Sequence, residues 1–164
     1  MPTIDLAGLN ILIADENRFA LSILRQHLRS FNATSVFDAH EGGEAYSVLC
    51  AKPIDIALID FDMMPVSGTA FVHMVRTGDT SPNPALPIIL LVENADVKRL
   101  TIARDTGASE ILTKPLSANI LGLRMKHALE NKRQFVTAET FTGPDRRRRR
   151  DITTPAEERR ERPD

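Results

Sequence analysis

Five short apolar runs alternate with amphipathic stretches between Leu9 and Phe135, and that alternation leaves few folds open. The runs are Ile11-Leu12-Ile13-Ala14, Ser35-Val36-Phe37, Ile54 to Ile59, Ile88 to Val92, and Ile111-Leu112. The first, third and fourth are almost continuously apolar, as parallel strands buried on both faces require. The second is short and mixed, the pattern of an edge strand. Between the runs, Phe19, Ala20, Ile23, Leu24, His27, Leu28 and Phe31 recur every three to four residues, which predicts a helix with one buried face. Gly43 to Ala51 and Thr69 to Arg76 read as a second and a third helix. Val97 to Thr106 reads as a fourth, capped by Asn94 or Asp96 and ended by Gly107. Ser117 caps a fifth, on which Leu121, Met125, Ala128 and Leu129 share a face. Strand–helix alternation at this spacing implies an α/β fold: a parallel sheet, right-handed crossovers, and helices on both faces. In such sheets ligands sit beyond the carboxyl ends of the strands, where strand order switches.

Those ends carry a charged constellation. The first run ends at Asp15-Glu16, the third at Asp60 followed by Phe61-Asp62, and the fifth at Thr113-Lys114-Pro115. Neighbouring strands lie roughly 5 Å apart, so these ends converge on one edge. Carboxylates crowded there repel one another unless a cation joins them. Hard oxygen ligands with room for several waters suit Mg2+ better than zinc. Lys114 adds a positive charge that can hold an anionic group beside Asp60. A metal and a lysine flanking one carboxylate make a phosphoryl-transfer site, since both draw charge from the transferring oxygens. Singly, an acidic residue at a strand end also reads as a cap for the next helix; the specificity lies in the set.

Composition narrows the class further. The chain has 164 residues, a net charge of -1 and one cysteine, Cys50. A near-neutral charge gives no reason to expect nucleic acid as a partner. A single cysteine excludes an internal disulfide and a thiolate cluster, and Cys50 is expected to pack inside near the end of the second helix. No apolar run approaches the roughly 18 residues that span a bilayer, and Met1 to Leu9 lacks the pattern of a signal peptide; cytoplasmic placement is the expectation. Met63 and Met64 are expected to pack locally. No metal-ligand pair appears among His27, His40, His73 and His127, and His27 is expected to be partly buried on the first helix.

Several stretches together resemble the receiver domains of bacterial response regulators. They are Ile11 to Glu16, Ala57 to Pro65, Gly68, Leu86 to Leu90, and Gly107 to Pro115, within roughly 125 residues. The resemblance implies a flavodoxin-like (βα)5 doubly wound sheet with strand order 2-1-3-4-5. It implies that Asp60 is the phosphoacceptor, charged by a histidine kinase or a histidine phosphotransfer protein. It also implies a Mg2+ site in which Glu16 binds directly, Asp15 through water and Asp62 through its main-chain carbonyl, next to Asp60. Lys114 would bind phosphoryl oxygen, with a cis peptide between Lys114 and Pro115.

Besides Glu16, one methylene longer than the usual aspartate, and Met64, which stands where proline is usual with Pro65 one place late, three positions depart from that family's pattern. The fourth strand ends in Val92 followed by Glu93, where Thr or Ser followed by a small residue is usual; Ile111 stands where the family has an aromatic. Valine cannot donate the hydrogen bond that the usual hydroxyl gives the phosphoryl group. Glu93 is expected to add bulk and negative charge beside the acceptor. The leading expectation is a stand-alone receiver that signals by protein contact, through helix four, strand five and helix five, to a downstream protein, with dimer formation compatible. The alternative is a pseudo-receiver, an interaction module independent of phosphorylation. A remote third reading is a haloacid-dehalogenase-type phosphatase, in which Asp60 would attack phosphate and Asp62 act as general acid; it leaves Asp15-Glu16 unexplained.

The expected organisation is an N-terminal extension over 1–8, the receiver domain over 9–135, and a charged tail over 136–164. That tail holds five consecutive arginines, Arg146 to Arg150, among seven acidic residues and eight arginines from Gln134 onward. Dense charge and few apolar residues predict disorder there.

Overall fold

The computed structural model describes residues 4–130 and the backbone of 135–137 and 142–144. Five parallel strands, β1 (Asn10–Ala14), β2 (Ser35–Ala39), β3 (Ile56–Asp60), β4 (Ile88–Val92) and β5 (Glu110–Thr113), line up in the order β2-β1-β3-β4-β5. Helices α1 (Arg18–Arg29), α2 (Gly42–Ala51), α3 (Gly68–Thr77), α4 (Val97–Asp105) and α5 (Ala118–Glu130) connect them. This is the flavodoxin-like architecture expected from the alternation of apolar runs, with β2 at one edge.

Strand periodicity divides the core into two layers. Leu12, Ala14, Ala57, Ile59, Ile88, Leu90 and Val92 point to the face covered by α2, α3 and α4, where Phe71, Val72 and Val75 meet them. Ile11, Ile13, Ile56, Leu58, Ile89 and Leu91 point the other way, against Leu21, Leu24 and Leu28 of α1 and Leu121 and Met125 of α5. Every residue of β3 and β4 is buried. A fully buried Leu or Ile side chain contributes about 1.5–3 kcal/mol, so the central strands anchor whatever their ends carry.

Caps fix where the helices begin. Asn17 accepts from the amides of Phe19 and Ala20, Ser67 from Ala70, and Asp96 from Arg99. Asp96 rather than Asn94 is therefore the α4 cap; Asn94 instead bends the chain before it at φ 50. Gly107, at φ 98, turns the chain out of α4 as expected.

Several side chains sit elsewhere than periodicity suggests. Phe19 is 72% exposed and Met64 77%, while Met63 is buried. Phe19 lies in the first turn of α1, ahead of the part that crosses the sheet. Cys50 is exposed, because α2 turns Ala45 and Leu49 inward instead. His27 is half-buried as expected, and its Nε2 is a buried atom without a hydrogen-bond partner. The core also reaches back before Leu9: Leu6 is fully buried, and its amide donates to the Phe31 carbonyl at 2.8 Å. Beyond α5, β6 (Phe135–Thr137) and β7 (Thr142–Pro144) pair as an antiparallel ribbon. The arginine run and the rest of the tail, 138–141 and 145–164, lie outside the described residues.

A buried cation braces the sheet's lower edge. Arg76 is 3% exposed, and its Nε donates to Gly107 O at 2.9 Å while Nη1 donates to Pro84 O and Leu86 O, each at 2.8 Å. Burial pulls its pKa down to about 10, so it stays charged at neutral pH. It ties α3 to the approach to β4 and to the loop before β5. Arg76→Met keeps the stem but strands these carbonyls, and should cost about 2–4 kcal/mol in chemical unfolding. A loss under a quarter of that range would show that the brace is dispensable.

Candidate functional site

The carboxyl ends of β1, β3 and β5 meet at one edge, as the topology requires. Asp15 follows β1, Asp60 is the last residue of β3, and Lys114 follows β5. Lys114 Nζ lies 2.8 Å from Asp15 Oδ2 and 2.7 Å from Asp60 Oδ1. Both carboxylates are buried, with side chains 3% and 9% exposed. The Lys114 amide donates to Val92 O at 2.9 Å, which fixes the start of the lysine stem across the end of β4. The peptides Lys114–Pro115 and Met64–Pro65 are both cis.

Gly68 sets the path of the loop that follows β3. A Cβ there would lie 2.1 Å from the main-chain oxygen of Asp60 and 3.1 Å from the Cα of Phe61. Both obstacles are backbone, so only glycine lets α3 start this close to Asp60.

The remaining candidates are present but differently engaged. Glu16 is exposed, and its Oε1 accepts from the Met64 amide at 3.2 Å. Asp62 donates its amide to Asp60 Oδ2 at 3.2 Å, while its carboxylate pairs with Arg99. Val92 is buried, Glu93 is exposed and Ile111 is half-buried against the α2–α4 layer. Arg99 is the residue that sequence reasoning missed. It stands on a helix with no motif, and only the fold brings it to the site.

Charge and burial act together on Asp60. Its pKa is raised from 3.8 to about 6, first by burial and then by the charges of Asp15 and Asp62, with Lys114 pulling the other way. The Glu93 side chain is exposed to solvent. For Lys114, burial works to lower the pKa, but its bonds to Asp15 and Asp60 prevail and raise it. A cation is thus held firmly beside a carboxylate that protonates easily.

Among the described residues no three His, Cys, Asp or Glu side chains are grouped to hold a metal ion. The reason is visible in the pairings: Glu16 turns to Met64 and Asp62 to Arg99. Mg2+, however, keeps most of its waters and needs one or two carboxylates. Asp15 and Asp60, buried side by side with oxygen donors only, fit that requirement.

A family model described as the response regulator receiver domain matches residues 11–138. The response regulator MprA of Mycobacterium tuberculosis (strain ATCC 25618 / H37Rv) is 32% identical over 135 residues, covering 82% of this chain and 56% of its own. MprA of Mycobacterium ulcerans (strain Agy99) is 32% identical over 123 residues, covering 74% and 50%. The chain thus spans about half the length of the curated relatives it matches. A CheY-like receiver domain protein from Methanospirillum hungatei JF-1 superposes with a TM-score of 0.66 at 22% identity, over 76% of this chain and 97% of that one. The receiver domain of a signal transduction histidine kinase from Syntrophus aciditrophicus gives 0.68 at 21%, over 80% and 99%. These solved structures share the fold.

The sign of the Asp60 shift carries a stability prediction. The folded chain keeps the Asp60 proton up to about pH 6, whereas the ordinary value is 3.8. Above pH 6 the ionised carboxylate therefore counts against the fold; below about 4 both states are protonated and the penalty is gone. Asp60→Asn should stabilise the protein at pH 8 by about 1–3 kcal/mol, and this gain should fade as pH falls from 6 to 4. Thermal unfolding across that range reads it; a gain that grows toward low pH would contradict it.

Proposed function

The chain belongs to the receiver-domain family of response regulators, and from that premise we propose that Asp60 accepts a phosphoryl group from histidine on a kinase or phosphotransfer protein. The observation that carries this reading is the Lys114 bridge to Asp15 and Asp60. It keeps a nearly buried carboxylate ionised and accessible at neutral pH, with a cation already beside it.

In the transfer, a carboxylate oxygen of Asp60 forms the new bond to phosphorus as the bond to the donor's imidazole nitrogen breaks. The electron pair leaves with the imidazole, which takes up a proton. A pKa near 6 makes the Asp60 oxygen a better nucleophile than an ordinary carboxylate while leaving it mostly anionic at pH 7. Lys114 pairs with the oxygens of the arriving group. Asp15, Asp60, Glu16 and the main-chain carbonyl of Asp62 would hold Mg2+, which when bound draws negative charge from the phosphoryl oxygens.

The signal would leave through protein contact on the face of α4, β5 and α5. Val97 (82%), Ile102 (43%), Ile120 (46%) and Leu123 (49%) are exposed apolar residues on those two helices, and such residues supply the apolar part of a docking surface. The second reading, a pseudo-receiver that binds its partner without phosphorylation, is favoured by one feature. Val92, buried at the end of β4, has no hydroxyl to donate to a phosphoryl group.

Acetyl phosphate with Mg2+ separates the two without the kinase. Intact mass should show one phosphoryl adduct on the protein and none on Asp60→Asn. Lys114→Gln should form it at least about tenfold more slowly. No adduct, with Mg2+ binding seen by titration calorimetry, would support the pseudo-receiver instead.

A further inference from the structure

Arg99 stands in the first turn of α4, yet its side chain belongs to the acceptor site. Nη2 pairs with Asp62 Oδ2, Nε donates to the main-chain oxygen of Glu93 at 3.1 Å, and the guanidinium lies over the Phe61 ring, 4.5 Å from its centroid. These partners belong to the loops that follow β3 and β4, the strand of the acceptor and its neighbour. Asp62 is in turn joined to the acceptor, since its amide donates to Asp60 Oδ2 at 3.2 Å. A single cation therefore fastens α4 to the loop that carries Asp60.

The other routes from the acceptor to that side of the molecule are apolar or already engaged. Val92 ends β4 without a donor, and Ile111 packs into the core. Lys114 is shared between two carboxylates and is anchored on β5. A phosphoryl group on Asp60 would add a charge of about −1.5 to −2 at neutral pH. The Asp62 carboxylate then becomes a repulsive neighbour, and the guanidinium on it becomes an attractive one. The contact to be exchanged is the weakest of the three: the Asp62 side chain is 57% exposed, and ion pairs in contact with water are weak. A guanidinium fork matches pairs of phosphoryl oxygens, and among the described residues only Nε and Nη2 of Arg99 are hydrogen-bonded.

Resting on the acceptor reading above, we propose that Arg99 is a phosphoryl-responsive positioning residue. When Asp60 is charged, Arg99 exchanges the Asp62 carboxylate for phosphoryl oxygens and draws the first turn of α4 with it. The coupling is mechanical. The Arg99 amide is held at 2.8 Å by the α4 cap, Asp96, and Val97 at the start of the same turn is 82% exposed. Moving that turn changes the apolar edge α4 presents to a partner.

Hydrogen exchange on the full chain, with and without acetyl phosphate and Mg2+, tests this. Intact mass is recorded on the same samples, for the natural protein, Arg99→Gln and Arg99→Lys. The natural protein should form the adduct and change the exchange rates of the first-turn α4 amides by roughly fivefold or more. Arg99→Gln should form the same adduct with that α4 change lost, and Arg99→Lys should keep part of it. An α4 change as large in Arg99→Gln as in the natural protein would overturn the proposal, as would an adduct that leaves α4 unchanged in both. If the natural protein forms no adduct, the acceptor reading itself falls and the role of Arg99 falls with it; the mass record distinguishes that case.

Discussion

Lys114 holds Asp15 and Asp60 together, at 2.8 and 2.7 Å, and the chemistry of this edge depends on that contact. Two carboxylates buried next to each other in a poorly solvated corner cannot both ionise unaided; one of them would keep a proton. The ammonium group, 2.7 Å from Asp60 Oδ1, pulls the Asp60 pKa down against burial, which still raises it to about 6. What results is a carboxylate more basic than an ordinary aspartate yet mostly charged at neutral pH. A lone buried aspartate, or an exposed one, would offer only half of that combination.

The sheet makes the contact possible. β5 is separated from β3 by β4, so the lysine has to reach across the end of an intervening strand, roughly 10 Å at ordinary strand spacing. A four-carbon stem manages this because the Lys114 amide is pinned to Val92 O, which starts the side chain at the strand end. Gly68 serves the same end from the other side, since any side chain there would collide with the Asp60 carbonyl. The two apolar layers above and below keep the strand ends in register, so the geometry of the site follows from core packing several residues away.

The strands and their burial were legible because parallel strands enclosed on both faces need unbroken apolar runs, and β1, β3 and β4 have them. The meeting of Asp15, Asp60 and Lys114 was legible for a related reason: each stands at the end of a run, where topology must bring them together. Side chains that depend on tertiary placement were not. Phe19 fits the periodicity of α1 but lies before the helix reaches the core, and Met64 and Cys50 face solvent for similar reasons of local geometry. Arg76 looks like an ordinary basic residue in a helix's last turn, yet it is buried among carbonyls. Arg99 shows nothing in sequence, because its partners lie in loops after two other strands. The bond from Arg99 to the Glu93 main-chain oxygen was equally invisible, because any residue there supplies that oxygen.

The direct test is a carbon-13 NMR titration of the Asp60 carboxyl in the natural protein and in Lys114→Gln. If Lys114 keeps this buried group available as an anion, Asp60 should titrate near 6 in the natural protein and clearly higher in the variant. A midpoint that stays the same without the lysine would contradict the account, because Asp60 would then owe its charge state to something other than the bridge.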